Sequence, residues 1–155
     1  MESRLIGVIS DTHALIRTEA AKALAKCDLI IHAGDIGTVH VIDVLRKIAP
    51  VVAVRGNCDK GSCAEIFAST EVLEIGGQYF YVIHDLNRID IEPEAAGINI
   101  VINGHTHEPY QFRKEGVLYL NPGSAGPRRF SLPISLALLK ITGDSLEVEF
   151  VKLAR

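Results

Sequence analysis

The sequence has no apolar run near the roughly 20 residues that a membrane-spanning helix requires, so no helical span is expected. Residues 1–6 place no basic segment ahead of a long apolar stretch, and no secretory leader is expected. Cysteine is scarce. Cys27, Cys58 and Cys63 form an odd trio that offers no disulfide framework and fits a reducing compartment. Basic charge is not in surplus either. A net charge of −3 argues against a protein that grips nucleic acid through a broad Lys/Arg face, so extended nucleic-acid binding is not expected. Repeats, low-complexity tracts and linkers are absent. A single cytoplasmic domain over residues 1–155, not bound to a membrane, is the simplest reading. A small phosphorylated substrate remains compatible with this charge, because a local metal ion can hold it. The composition leaves a homo-oligomer open.

What is present is a core. Apolar residues make up 48% of the 155-residue chain and charged residues 23%, the balance of an ordinary packed domain. Short apolar runs at residues 5–10, 29–32 and 51–54 read as buried strands. Between the first two, Ile16, Ala20, Ala23, Leu24 and Cys27 recur at helical spacing. Between the second and third, Thr38 is placed to cap a helix whose Val41, Val44, Leu45 and Ile48 share one face, and Pro50 ends it. Alternating strands and helices predict right-handed βαβ units with a parallel sheet. The second half is richer in hairpin signals. Gly76-Gly77 separates runs at 71–75 and 78–83, and Glu115-Gly116 separates 110–113 from 117–120. A short helix is expected at 92–96, a strand at 98–102, and two final strands at 134–141 and 146–151. The expected fold is α/β, with two mixed sheets packed face to face and helices outside.

Polar residues fall at informative places. Five apolar strands each run into a small set of potential metal ligands: Asp11 and His13, then Gly34-Asp35, then Gly56-Asn57-Cys58-Asp59, then His84-Asp85, then Gly104-His105-Thr106-His107. In open α/β sheets, ligands bind beyond the carboxyl ends of strands, so clusters distant in sequence can meet there. Each set alone has an ordinary explanation. Asp before a helix is a cap, Gly-Asp and Gly-Asn are turn pairs, and a lone His is usually a hydrogen-bonded structural residue. Five such signals in this order seldom coincide without a shared site. His32, at the end of an apolar strand, reads as packed and hydrogen-bonded. His40 reads as a solvated helix residue.

These residues, together with Asn121-Pro122-Gly123-Ser124, resemble the calcineurin-like metallophosphoesterases, and most of all their small bacterial and archaeal phosphodiesterase branch. The resemblance implies a four-layer α/β/β/α sandwich. It also implies two divalent metal ions. Asp11, His13 and His107 would hold the first, Asn57, His84 and His105 the second, and Asp35 would bridge them. Larger family members carry a His where this chain has Cys58, so the resemblance supplies no imidazole acid there. The family usually has Gly where this chain has Asp85.

A donor set of imidazoles, carboxylates and one amide suits Mn²⁺, Fe²⁺, Co²⁺, Ni²⁺ or Zn²⁺ better than Ca²⁺ or Mg²⁺, with manganese the expected activator. Two divalent ions against two carboxylates leave net positive charge, which attracts phosphate. Such ions lower the pKa of bound water from about 15.7 toward roughly 7, so a bridging hydroxide would serve as nucleophile and no side chain need act as base. Asn57 and Cys58 are candidate substrate contacts. Cys58, Asp59 and water are candidate proton donors to the leaving alkoxide, with water the default, and Cys58 has the alternative reading of an inert buried thiol. Arg128 and Arg129 read as a solvated basic pair. Phosphodiester hydrolysis is the leading expectation. A phosphomonoesterase with the same centre, and a retromer-type protein-binding scaffold on the same fold, are the alternatives.

Overall fold

The computed structural model describes residues 2–154. Its elements are β1 (Ser3–Ile9), α1 (Thr18–Ala23), β2 (Leu29–His32), α2 (Val39–Arg46), β3 (Val51–Ala53), α3 (Ser62–Ile66), β4 (Thr70–Ile75), β5 (Gln78–Ile83), a 3₁₀ turn at Leu86–Arg88, β6 (Ile100–Ile102), β7 (Tyr110–Lys114), β8 (Val117–Asn121), β9 (Ile134–Thr142) and β10 (Ser145–Ala154). They form two mixed five-stranded sheets, ordered β10-β9-β1-β2-β3 and β4-β5-β6-β8-β7. In the first, β1, β2 and β3 run parallel, and β9 and β10 add antiparallel edges. In the second, β5, β6 and β8 run parallel, flanked by antiparallel β4 and β7.

Strand alternation explains the layering. Side chains on successive strand positions face opposite ways. Ile6 and Val8 of β1 therefore join Phe80, Val82, Ile100, Ile102, Leu118, Leu120 and Leu139 in the core between the sheets. Ile9 and Ile30 belong to the other face, where Ala20, Leu24, Val41, Ile42 and Leu45 from the helical segments cover them. The far side of the second sheet is sealed more thinly, with Leu86, Ile89 and Ile91 packed on Tyr81, Ile83 and Val101. This is the α/β/β/α sandwich, with few helices in its outer layers.

Several local expectations need correction. The first helical pattern yields only a six-residue helix, because Ala25 and Cys27 donate to carbonyls three residues back and tighten its end into turns. Thr38 takes the N-cap position of α2 with extended backbone, but its hydroxyl makes no capping bond. Residues 92–96 are not a helix. One helical bond, from Ala96 N–H to the Glu92 carbonyl, is closed at once by bonds from Gly97 to Glu94 and from Ile98 to Pro93, with Gly97 at φ +79°. The strand expected at 98–102 is confined to Ile100–Ile102. Neither α3 nor the 3₁₀ turn was expected from the sequence, since pieces of five and three residues are too short to show a period.

His32 is fully buried. The Gly34 N–H donates to its Nδ1 at 3.1 Å, so its Nε2–H faces the Thr12 hydroxyl at 3.0 Å. Burial pulls its pKa down from 6.5 to about 4, and the nearby Asp11 and Asp59 carboxylates only partly oppose that. The unfolded chain therefore takes up the proton first as pH falls. Stability conferred by neutral His32 is intact above about pH 6.5 and declines toward pH 4, by on the order of 3 kcal/mol in total. Urea unfolding of the metal-free protein across that window should show the decline, and a flat profile would contradict it.

Candidate metal centre

The parallel strands deliver the polar residues to one end of the sandwich. Hydrogen bonds across the loops that follow fix them there. Asp11 N–H donates to the Gly34 carbonyl at 2.9 Å and His13 N–H to the Asp35 carbonyl at 3.0 Å, joining the loops after β1 and β2. Gly104 N–H donates to the His84 carbonyl at 2.9 Å, joining those after β5 and β6. The two sheets are tied together by His84, whose Nδ1–H donates to the Ala33 carbonyl at 2.8 Å.

The backbone at these ends is unusual. Asp11, His13, Asp35, His105 and His107 all lie at positive φ, between +45° and +72°. Non-glycine residues seldom adopt that region, and they persist there when the surroundings over-determine them. Two glycines allow the close approach. A Cβ on Gly56 would overlap the Asp35 carboxylate, and one on Gly104 would overlap the Ser10 hydroxyl.

The carboxylates sit at the middle of the cluster. Asp11 Oδ2 accepts from Ser10 Oγ at 2.7 Å and from His105 N–H at 3.1 Å. Its Oδ1 has no hydrogen-bond partner and faces Nε2 of His107 at 3.4 Å, of His84 at 3.8 Å and of His13 at 3.9 Å. Asp35 Oδ1 accepts from the Cys58 N–H at 2.8 Å, while Oδ2 lies 3.3 Å from His84 Nε2 and 3.7 Å from His13 Nε2. Beside them, His105 Nδ1 faces Asn57 Oδ1 at 3.1 Å, and its ring meets that of His84 edge-on, centroids 5.2 Å apart. The structure thus brings together Asp11, His13, Asp35, His84 and His107, with Asn57 and His105 adjoining them.

Donors that share a cation about 2.0–2.2 Å away lie about 3–4 Å from one another, and these separations match. Among the described residues, five buried polar side-chain atoms have no hydrogen-bond partner, and four of them belong to this cluster: Asp11 Oδ1, His13 Nε2, His84 Nε2 and His107 Nδ1. Buried polar atoms without partners are costly, and an ion that accepts their lone pairs removes the cost. Three triads have ligand atoms within 4.8 Å of each other: Asp11–His13–His107, Asp11–Asp35–His84 and His13–Asp35–Cys58. The residues fit a metal-binding centre.

Electrostatics agree. Burial alone would raise the Asp11 carboxyl, but His107, His84 and Ser10 outweigh it and hold its pKa low. Asp35 is likewise held well below the usual carboxylate range, against burial, by His84, the Cys58 N–H and His13. Burial would lower His84, yet Asp35, Asp11 and the Ala33 carbonyl raise its pKa. The two carboxylates thus favour positive charge at His84, as they would favour a cation.

Some candidates are reassigned. Cys58 is exposed, so it is not a buried thiol. Desolvation of its sulfur and the adjacent Asp35 push the thiol pKa up, which keeps it protonated. Asp59 is buried and accepts from the N–H groups of Ile36, Gly37 and Gly56 at 3.2, 3.0 and 2.8 Å, so it braces two loops and is no proton donor. His32 and His40 stay outside the cluster. Arg128 and Arg129 are both exposed. Two braces escaped the sequence reading. Asn121 Nδ2 donates to the Gly104 carbonyl at 2.9 Å and to Thr106 Oγ1 at 3.1 Å, and Ser124 Oγ donates to the Asp11 carbonyl at 3.1 Å. The Asn-Pro-Gly-Ser motif was the available signal.

Two mixed sheets with a carboxylate–imidazole cluster at their shared end are the frame of a metallophosphoesterase. The chain belongs to the calcineurin-like phosphoesterase superfamily, whose domain profile matches residues 5–144. It is 35% identical to a probable metallophosphoesterase of Methanocaldococcus jannaschii, over 95% of this chain and 80% of that one. It is 27% identical to a phosphodiesterase of the same organism, over 76% of this chain and 82% of that one. Among solved structures, a conserved predicted phosphoesterase from Streptococcus pneumoniae TIGR4 superposes with a TM-score of 0.79 at 26% identity, covering 98% and 91% of the two chains. Vps29 of Entamoeba histolytica complexed with Zn²⁺ superposes with a TM-score of 0.74 at 25% identity, covering 97% and 99%. The family is metal-dependent, and the cluster supplies residues to match.

Two outcomes test this centre. Asp59→Ala strands three backbone N–H groups and should lower stability by about 3 kcal/mol, measured by chemical denaturation. Binding of Mn²⁺ to the metal-free protein should strengthen as pH rises from about 6 to about 8, because His84, whose pKa is raised by the carboxylates, binds a cation through Nε2 only in its neutral form. Calorimetric titration at several pH values checks this, and affinity that falls with pH would refute it.

Proposed function

We propose that this protein is a metal-dependent phosphodiesterase working with two divalent cations, manganese being the expected activator and Fe, Zn, Co or Ni the alternatives. The observation that carries the reading is the set of partnerless buried polar atoms on Asp11, His13, His84 and His107, gathered around two carboxylates held at low pKa. In this reading Asp11, His13 and His107 hold one cation, Asn57, His84 and His105 hold the other, and Asp35 lies between them. When bound, such a pair supplies water of near-neutral pKa and stabilises charge on phosphoryl oxygens.

The chain's own residues prepare the reaction. Asp11 Oδ2 is fixed by Ser10 and the His105 N–H, leaving Oδ1 free for a cation. The Ala33 carbonyl holds Nδ1–H of His84 and turns Nε2 inward. Hydrolysis adds water across phosphorus and the ester oxygen. A P–O bond to water forms, the P–O bond to the alcohol breaks, and the departing alkoxide takes a proton. With Asp59 engaged in three N–H bonds, solvent is the donor. The likeness to a phosphodiesterase favours diesters over monoesters, the second reading for the same centre. Three free cysteines suit the reducing cytoplasm. The Vps29 likeness supports a third reading, a non-catalytic protein-binding scaffold on the same fold, and because that neighbour itself holds Zn²⁺, hydrolysis rather than metal binding separates the two.

With Mn²⁺, a bis-aryl phosphate should turn over faster than a mono-aryl phosphate. Asp35→Ala should abolish turnover and most of the melting-temperature rise that Mn²⁺ gives the native protein. Wild-type turnover in Asp35→Ala at saturating metal would sink the reading. An absence of hydrolysis with every divalent ion would favour the scaffold.

A further inference from the structure

Beside the centre lies a groove of about 560 Å³ that shares Asn57 and His84 with it. That volume falls in the range of about 300–1,000 Å³ typical of small-molecule sites. The groove runs outward between the segment after β3, the start of β4 and the 3₁₀ turn, and Arg55, Ser69, Asp85, Arg88 and Asp90 line it. An ester held at the metal centre has its phosphorus at one end of this groove, so one of its organic arms has a place to lie.

The charges of the groove indicate what that arm is. Two arginines and two aspartates line the groove, so these charges cancel. Arg55 is tied to backbone, while Arg88 is largely exposed and pairs loosely. Arg55 Nη1 donates to the Ala64 and Phe67 carbonyls at 3.2 and 3.1 Å. Arg88 Nε lies 3.9 Å from Asp85 Oδ2. Asp85 also stands where the groove meets the centre. Its Oδ1 accepts from the Asn87 N–H at 3.0 Å, and its Oδ2 is 3.9 Å from His105 Nε2 as well. A carboxylate at that junction opposes a second anionic group entering the groove. Hydroxyl, amide and carboxylate edges remain for hydrogen bonding.

We propose that this groove is the subsite for one alcohol arm of the diester. The arm is an uncharged, hydroxylated group of nucleoside size, and Asp85 selects against an arm bearing a further phosphate. The proposal rests on the phosphodiesterase reading of the centre.

The test compares three phosphate esters by calorimetric titration of the Mn²⁺-loaded protein: methyl phosphate, uridine 5′-monophosphate and uridine 3′,5′-bisphosphate. Uridine monophosphate should bind about tenfold more tightly than methyl phosphate, a difference of about 1.4 kcal/mol. The bisphosphate should bind no better than the monophosphate. Ser69 is exposed, so Ser69→Trp can fill the groove without disturbing the core, and it should bring the uridine-to-methyl preference close to one. Asp85→Gly should shift preference toward the bisphosphate. Equal binding of methyl phosphate and uridine monophosphate by the wild type, or a preference that survives Ser69→Trp, overturns the proposal. If bis-aryl phosphate is hydrolysed in either case, the groove assignment alone falls. If no ester binds and no diester is cleaved, the metal-centre reading falls and takes the groove with it.

Discussion

Two buried carboxylates, Asp11 and Asp35, lie within 4 Å of the His13 and His84 Nε2 atoms, which have no hydrogen-bond partner. Negative charge buried among unpaired donors and acceptors is expensive. The chain tolerates it only because the arrangement is complementary to positive charge. In the metal-free protein the raised pKa of His84 is one response to that demand. A divalent cation answers it more fully, since one ion can accept several lone pairs at once. The same electrostatic constraint thus sets the pKa directions, the fit to metal and the attraction for a phosphate group.

Holding the carboxylates there requires rigidity outside the centre. Left-handed backbone at five of the metal-facing residues costs on the order of 1–3 kcal/mol at each. The braces that oppose it are buried polar side chains bonded to loop backbone. Asp59 fastens the loop after β3 to the one after β2, Asn121 fastens the loop after β6, and Ser124 reaches the Asp11 carbonyl. His32 and Thr12 fill the space beneath. The apolar core between the sheets sets the strand ends, and this polar network sets the angles at which the chains leave them.

That division explains what the sequence revealed. Apolar strands such as Gln78–Ile83, and the Gly76-Gly77 hairpin, were legible because local chemistry decides them. The convergence of Asp11, His13, Asp35, His84 and His107 was legible because every one follows a parallel strand, and parallel strands end together. The braces were not legible, since a bond from Asp59 to Gly37 spans 22 residues and leaves no periodic trace. Asp59 consequently stood among the candidate proton donors beside the default of water, and Cys58 had the alternative reading of a buried thiol. The expected helix at 92–96 failed for a related reason: a stretch of five residues is too short to outweigh the Gly97 turn that closes it.

Asp85 joins the two scales. It follows a metal-facing histidine, so its backbone position is fixed by β5, yet its carboxylate is free to meet the 3₁₀ turn and His105. A glycine there would leave the rim of the centre open to any anionic arm. A carboxylate gives the rim a sign of charge opposite to that of the metal-loaded centre a few ångströms away. In the proposed reading, the phosphate to be cleaved would be drawn inward to the bound metal, and a second phosphate on the same substrate would meet repulsion at the junction. Selectivity of this kind needs no change in the metal donors. It arises because a charged side chain has been added where the catalytic frame leaves room for one.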